Sequence, residues 1–314
     1  MNVSVIIPVY GVEKYIERCA RSLFSQTLQE GIEFLFIDDC TPDDSMQVLR
    51  QVLSQYPHRQ SQTQLLRMPK NSGSAVVRQF GIQRAKGDYV ICCDSDDWVE
   101  TSMYERMLCK AQETQADLVI CDFASVSDST IIETFRGMNP ASQETCMNQL
   151  FQAETWSMVN KLVKKDLYQH VVFPTANMGE DLATTLQLAY WAKHISYVPQ
   201  VLYYYCCNPT SLTRVHSEEH ILKMFRQFCA NVQLLSDVSS HYDPAAFNPQ
   251  YLVSLKLRAK NRLLPLLSTN PDYYKLWRDT FPEINRQVLT CKIIPLRKKL
   301  RFLLNYAKSM SGHA

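Results

Sequence analysis

Short apolar runs alternate with amphipathic stretches through the N-terminal part of the chain. Val3-Ser4-Val5-Ile6-Ile7-Pro8-Val9 is a β-branched run too short to span a membrane and predicts a buried strand. From Glu13 to Thr27, Ile16, Cys19, Ala20, Leu23 and Phe24 recur at helical spacing, with Glu13, Lys14, Glu17, Arg18 and Arg21 elsewhere. A second strand, Glu33-Phe34-Leu35-Phe36-Ile37, runs into Asp38-Asp39 and a turn with Pro42. Asp43, Asp44 and Ser45 are N-cap candidates for a helix that turns Leu49, Val52, Leu53 and Tyr56 inward. A weaker strand at Gln64 to Arg67 precedes a helix from Ser74 to Lys86, with Gly87 as its stop signal. Then come the strand Tyr89 to Cys93, a helix bearing Met103, Tyr104, Met107, Leu108 and Ala111, and the strand Leu118 to Cys121.

This alternation predicts an α/β fold built on a mostly parallel sheet flanked by helices. In open α/β sheets, ligands sit outside the carboxyl ends of the strands. The endings Pro8-Val9-Tyr10, Asp38-Asp39 and Asp94-Ser95-Asp96 are therefore expected to face one crevice. Two acids separated by one residue can share a hard divalent cation, which prefers oxygen ligands. Such a cation usually serves to hold a phosphate. An isolated Asp-Ser-Asp also serves as a cap or turn, so the competing reading is structural.

Composition narrows the field. The 314 residues allow about two domains at roughly 150 residues each. A formal net charge of +2 gives no reason to expect nucleic acid as partner. Only 8 glycines occur, and no GxGxxG or GxxxxGK[ST] is among them, which argues against dinucleotide and P-loop sites. A phosphate must then be held by a metal and side chains. The 11 cysteines are scattered, with no CxxC, so a structural zinc is not expected and a reducing cytoplasm is. The N-terminus lacks the basic region and cleavage site of a signal peptide.

Four ordered blocks now stand out: Val3 to Thr27, Phe36-Ile37-Asp38-Asp39, Asn71-Ser72-Gly73 followed by Arg78, and Gly87-Asp88-Tyr89 running into Asp94-Ser95-Asp96-Asp97-Trp98. Together they resemble family 2 glycosyltransferases of the GT-A (Rossmann-like) fold, in particular those of bacterial surface-polysaccharide synthesis. Weaker echoes are Asn160-Lys161-Leu162, Glu180-Asp181, and Tyr203-Tyr204-Tyr205 with Ser211-Leu212-Thr213. The resemblance implies transfer of a sugar from a nucleotide-diphosphate donor, a UDP-sugar being favoured, to an acceptor hydroxyl with inversion. It implies that Pro8, Val9 and Tyr10 lie along the base and that Asp39 accepts from its imide N–H. Asp94 and Ser95 would line the nucleotide site, and Asp96, with Asp94, would bind Mg²⁺ or Mn²⁺. Arg78 would contact the nucleotide or diphosphate. Asp181 would be the general base, with Glu180 beside it, and Asp38 and Arg214 would support the site. The acceptor would be a carbohydrate or a lipid-linked saccharide.

Several positions carry a plainer reading too. Asp181 opens a helix, where acids are common for dipole reasons alone. Asp38 and Asp39 also suit a turn before Pro42. Lys161 and Arg214 are phosphate candidates that surface solvation explains equally, and His216 fits an ordinary loop histidine. Trp98, Trp156 and Tyr203 to Tyr205 suit sugar stacking or core. The chain also departs from the family pattern: Gly11 replaces an Asn, and Cys40-Thr41-Pro42-Asp43 stands where Gly-Ser-Thr-Asp is common. Ser74-Ala75-Val76-Val77-Arg78-Gln79 stands where Leu-Ser-Ala-Ala-Arg-Asn is usual. No QxxRW follows Asp181, which argues against a processive synthase.

The expected organisation is a nucleotide-sugar-binding half at residues 1–125, an acceptor-binding half at 126–215 and a helical C-terminal extension at 216–314. After Glu283 no acid remains, whereas seven Lys and Arg follow. Beyond Pro295, Leu296, Leu300, Leu303, Leu304 and Ala307 recur at helical spacing, a pattern that suits an anionic membrane surface, packing on the domain or a dimer contact. The oligomeric state is open. A cytoplasmic protein, peripheral on the inner membrane face, is the expected setting. Two other function classes compete: a metal-dependent nucleotidyltransferase, which would release pyrophosphate, and a degenerate, non-catalytic binding protein.

Overall fold

The structure is a computed structural model that describes residues 2–127, 130–136, 143–153, 155–207, 217–244 and 246–311. The chain forms two compact units. The first comprises Met1–Thr175 and Thr184–Pro209, and the second Ala176–Ala183 and Thr210–Ala314.

In the first unit the order is β1 (Val3–Val9), α1 (Ile16–Phe24), β2 (Ile32–Asp38), α2 (Ser45–Ser54), α3 (Pro57–Gln60), β3 (Thr63–Arg67), α4 (Ser74–Arg84) and β4 (Tyr89–Cys92). There follow β5 (Trp98–Val99), α5 (Met103–Thr114), β6 (Leu118–Ser127), β7 (Thr130–Phe135), α6 (Gln143–Ala153), β8 (Lys161–Lys164), α7 (Glu180–Trp191) and β9 (Ile195–Cys206). Helix α7 begins in the residues of the second unit.

Among the described residues the sheet has nine strands in the order β3-β2-β1-β4-β8-β6-β9-β5, with β7 paired to β6. The first four strands are parallel neighbours, as the βαβ pattern requires. Beyond β4 the sheet is mixed: β8 runs antiparallel between β4 and β6, whereas β6 and β9 are parallel. Strands β1 and β2 are buried on both faces, which is why they are continuous apolar runs rather than alternating ones. Strand β6 outruns its expected end at Cys121 because its second half pairs with Tyr203–Cys206 of β9 on one side and with β7 on the other.

Two boundaries differ from the sequence reading for local reasons. Helix α1 begins at Ile16 rather than Glu13: residues 13–15 form a turn, with the Tyr15 and Ile16 amides donating to the Val12 carbonyl (2.8 and 2.9 Å) and the Glu13 amide to the Asp43 carboxylate (3.0 Å). Helix α4 ends at Arg84, where Ala85 turns extended, so Gly87 is not its stop signal. Gly87 is instead the point where the chain lies flush on β1. Its N–H donates to Ser4 Oγ (2.8 Å), and a Cβ there would meet the Ser4 nitrogen at 2.6 Å and the Val3 carbonyl carbon at 2.7 Å.

The second unit is helical among its described residues: α8 (Glu218–Ser239), α9 (Gln250–Asn261), α10 (Asp272–Asp279), α11 (Ile284–Thr290) and α12 (Leu296–Ser311). Ser217 caps α8 by accepting from the His220 amide. The unit has its own core around Phe225, Leu257, Leu263, Trp277, Val288 and Phe302. Lys260 is fully buried within it, donating to the carbonyls of Arg278 (3.0 Å) and Thr280 (2.7 Å) and to Asn285 Oδ1 (2.7 Å). Burial pulls its ammonium pKa down to about 8, so it is still charged at neutral pH. Helix α12 rests on this core through Phe302, whose ring lies 5.3 Å from Trp277. The leucine stripe expected from the sequence is not that buried face.

Two stability outcomes follow from these contacts. Gly87→Ala forces backbone atoms of β1 apart and is expected to lower the urea unfolding free energy by about 1–3 kcal/mol. Lys260→Met takes the ammonium from the Thr280 carbonyl and Asn285 Oδ1 and leaves the Arg278 carbonyl with Asn285 Nδ2 alone, and is expected to cost about 2–4 kcal/mol in unfolding followed by tryptophan fluorescence.

Candidate active site

The parallel register sets the ends of β2, β1 and β4 side by side: Val9 pairs with Asp38, and Ile6 with Cys92. The loops that leave these strands are joined by carboxylates. Asp43 is the hub of the first junction. Its carboxylate accepts from Thr41 Oγ1 (2.6 Å), from Ser45 through both N (3.2 Å) and Oγ, and from the Glu13 amide (3.0 Å). Thr41 and Ser45 in turn accept from the amides of Gly11 (2.9 Å) and Val12 (3.1 Å). Burial alone would raise the Asp43 pKa, but the hydrogen bonds from Ser45, Thr41 and the backbone outweigh it and hold the carboxyl below its ordinary value.

This junction explains two departures from the family pattern. Gly11 has φ +67°, a left-handed conformation that glycine and asparagine both tolerate, so Gly for Asn changes little. Cys40 has φ +56° where the family commonly has glycine, so the same backbone shape is kept with a side chain that disfavours it. The Cys40 thiol donates to the Met68 carbonyl (3.2 Å). Beyond the junction Tyr10 is 50% exposed at the rim.

Asp38 and Asp39 divide their work. Asp38 accepts from the Thr41 amide (2.8 Å), the turn role that competed in the sequence, and faces the exposed Arg67 at 3.5 Å. Asp39 is buried and clamps the next loop, its two oxygens accepting from the amides of Ser72 (2.7 Å) and Gly73 (2.8 Å). Each oxygen keeps a second lone pair for a further donor.

The third strand end carries the acids. Arg78, from α4 and mostly buried, donates to the half-buried Asp94 carboxylate in an ion pair. Ser95 is buried and Asp96 half-buried, with the Asp96 carbonyl accepting from Arg18 (3.3 Å). The Arg18 guanidinium lies 3.6 Å over the Trp98 ring, which stacks on Tyr204 at 5.5 Å. Beneath them, Asp97 is fully buried and accepts from the Tyr203 hydroxyl and from the Cys206 amide (2.7 Å). Tyr203 also accepts from the Asp94 amide (3.1 Å). Burial, reinforced by the charges of Asp96 and Asp94, pushes the Asp97 carboxyl well above its ordinary value.

The expected residues thus divide by place. Pro8, Val9, Tyr10, Asp38, Asp39, Arg78, Asp94, Ser95 and Asp96 gather around the neighbouring strand ends and the start of α4. Glu180 and Asp181 belong to the second unit, at the start of α7, where Glu180 is buried and Asp181 accepts from the Leu182 amide (2.8 Å). Gly179, just before them, has φ +81°, and a Cβ there would meet the Phe228 ring at 2.7 Å. Arg214, His216 and Ser211-Leu212-Thr213 lie outside the described residues. Lys161 is not a phosphate ligand in waiting. It is buried, with its ammonium donating to the carbonyls of Thr155 (2.9 Å) and Ser157 (2.7 Å) and to Asn160 Oδ1 (2.9 Å). Arg18 and the Asp43 hub escaped the sequence reading. Nothing in one sequence distinguishes Arg18 from the other polar residues of α1, and Asp43 looked like a helix cap.

Among the described residues no three His, Cys, Asp or Glu side chains gather into a cage for a metal ion. Asp94 and Asp96 nevertheless suit a hard cation that takes its remaining ligands from water and phosphate, the usual habit of Mg²⁺.

A parallel nucleotide-type sheet that turns mixed at one side, with an acidic turn at a central strand end, defines a GT-A fold. Solved structures agree in fold: Staphylococcus aureus TarS residues 1–349 superposes with a TM-score of 0.69 over 100% of this chain and 89% of that one, at 19% identity. Mannosyltransferase PcManGT from Pyrobaculum calidifontis, solved with GDP-Man and Mn²⁺, gives a TM-score of 0.58 over 99% and 85%, at 16% identity. Residues 4–174 match the family described as Glycosyl transferase family 2, and the chain belongs to that family. Among its relatives are the uncharacterized glycosyltransferase EpsJ of Bacillus subtilis (strain 168), 29% identical over 71% of this chain and 67% of the relative, and glycosyltransferase GlyG of Streptococcus pneumoniae serotype 4, 28% identical over 68% and 73%. The matched region is only 35% of the longer S. pneumoniae relative GlyA. The protein is therefore a glycosyltransferase, and the nucleotidyltransferase alternative falls away.

The Asp43 junction makes a pH-dependent prediction. Because its folded-state pKa is depressed, the stabilisation is present above the ordinary value of 3.8 and is lost as pH falls through the lower folded value. Asp43→Asn is thus expected to lower stability by about 1–2 kcal/mol at neutral pH, with the difference from wild type shrinking in urea titrations below about pH 4.

Proposed function

We propose that the enzyme transfers a sugar with inversion from a nucleotide-diphosphate donor, a UDP-sugar, to a hydroxyl of a carbohydrate or lipid-linked saccharide. The acidic turn Asp94-Ser95-Asp96, set beside the Asp39 and Tyr10 strand ends, carries this reading. TarS has been solved with UDP and with UDP-GlcNAc, which supports the choice of base. A relative named poly(ribitol-phosphate) beta-glucosyltransferase supports a surface-polymer acceptor. A cytoplasmic setting, peripheral to the membrane, suits a lipid-linked acceptor, and eleven free cysteines suit a reducing compartment.

Exposed at the rim, Tyr10 offers its ring to the base. The free lone pairs of Asp39 accept from the imide N–H, so the same carboxylate that clamps Ser72 and Gly73 selects the base. Asp96 and Asp94 would hold Mg²⁺ or Mn²⁺, with Ser95 lining the nucleotide site. When bound, the cation stabilises the charge that builds on the departing diphosphate. Arg78 pairs with Asp94, and with Asp94 engaged by a cation its guanidinium would be available to the diphosphate. Asp181 takes the proton of the attacking hydroxyl. Glu180 and Asp38 support, respectively, the start of α7 and the Thr41 turn, and Arg214 is a further phosphate contact.

Calorimetry with UDP, in Mn²⁺ or Mg²⁺ and then in chelator, separates these roles. Asp96→Ala is expected to weaken metal-dependent UDP binding at least about tenfold. Asp181→Asn is expected to leave UDP binding intact while lowering sugar transfer by about 10²–10⁴. UDP binding that ignores both the metal and Asp96 would sink the donor-site assignment. A protein that binds donor but transfers to no acceptor in the presence of a wild-type Asp181 would favour the non-catalytic alternative.

A further inference from the structure

Helix α12 has two apolar faces, and its own unit covers one. Phe302 is buried against Trp277, Tyr306 stacks on Phe302 at 5.7 Å, and Arg278 ties the helix end by donating to the Ser309 carbonyl (3.1 Å). About 120° around the helix, at 3.6 residues per turn, runs a second stripe. There Leu296 is 71% exposed, Leu300 53%, Leu303 42%, Leu304 67% and Met310 63%. Single exposed leucines are ordinary, but a continuous stripe along a 16-residue helix marks an interaction surface. Just upstream, Leu289 and Ile293 are exposed as well.

Charge decides what covers this face. By helical spacing, Arg297, Arg301 and Lys308 follow one edge of the stripe and Lys299 the other. No acid occurs after Glu283. Two copies meeting stripe to stripe would set these like-charged edges together with no carboxylate on the segment to offset them. An anionic lipid surface complements both parts at once, taking the leucines into the acyl boundary and the cations to its phosphates. At 16 residues and with its charges, the helix lies in the interface rather than across it; among the described residues no helix is long and apolar enough to cross a membrane.

We propose that the exposed face of α12 seats the second unit on an anionic bilayer, with the helix in the membrane plane and its opposite face fixed to the Trp277 core. The core contact gives this surface a fixed orientation, so the helix needs no folding on arrival, unlike a disordered basic tail. The inference is independent of the donor chemistry: a chain that failed to bind UDP would leave it standing.

The test uses the full chain with sedimentable vesicles, either phosphatidylcholine alone or mixed with phosphatidylglycerol. Binding is expected to the mixed vesicles, at least about tenfold above phosphatidylcholine alone, and to fall as salt rises. Leu300→Glu with Leu304→Glu is expected to reduce it by a further tenfold or more, with the urea midpoint unchanged because both side chains are exposed. A second pair, Leu300→Ala with Leu304→Ala, is expected to weaken binding in the same direction without adding charge. Arg297→Gln, Arg301→Gln and Lys308→Gln together are expected to remove the preference for phosphatidylglycerol. Failure to bind the mixed vesicles, or binding that the leucine variants do not change, overturns the proposal. So does a wild-type dimer in sedimentation equilibrium that the leucine variants convert to monomer, which would assign the face to a second copy.

Discussion

A buried carboxylate beneath two others is the constraint around which this site is built. Asp97 sits fully enclosed below the turn that carries Asp94 and Asp96, where a bare charge would be prohibitively costly. The Tyr203 hydroxyl and the Cys206 amide answer that cost, and both come from β9, more than a hundred residues along the chain. Because Tyr203 also accepts from the Asp94 amide, one phenol joins the turn to the far side of the sheet. The shape of the acidic turn therefore depends on β9 pairing in register with β6 and β5. A strand more than a hundred residues along the chain thus holds the loop that carries Asp94 and Asp96.

The carboxylates around these strand ends divide according to who answers them. Asp43, Asp38 and Asp97 are taken up by hydroxyls and amides of the protein itself, and they bind loops together. Asp39 does the same for the loop at Ser72 and Gly73. Among the described residues the Asp94 carboxylate is instead answered by a charged side chain, the guanidinium of Arg78. Preorganised charges that need no rearrangement are what electrostatic catalysis requires, and the proposed donor site would stand on loops held in this way.

Much of this was legible from residue types in order. Apolar runs ending in Asp38-Asp39 and Asp94-Ser95-Asp96 pointed to neighbouring strand ends, and the parallel pairing of β2, β1 and β4 sets those ends side by side. Helix ends were less legible. Glu13 scans as helix but lies in the turn before α1, where Asp43 receives its amide, and Gly87 scans as a helix stop when its smallness serves a contact with β1. Lys161 scans as a phosphate candidate, but its ammonium is consumed by carbonyls within its own loop. In each case the deciding partner lies elsewhere in the fold.

Local pattern determined what each segment is: periodicity of two or of 3.6, the breakers between them, and the acids at the strand ends are properties of neighbours in sequence. The leucine spacing of α12 was equally plain. Which acids are spent on structure, and which face of α12 meets the core, was decided only in three dimensions. Those outcomes turn on donors and rings brought from distant segments, Tyr203 to Asp97, Ser72 to Asp39 and Trp277 to Phe302. A single chain read in order carries no record of such meetings, because hydrogen bonding and packing select partners by position in space and not by separation along the sequence.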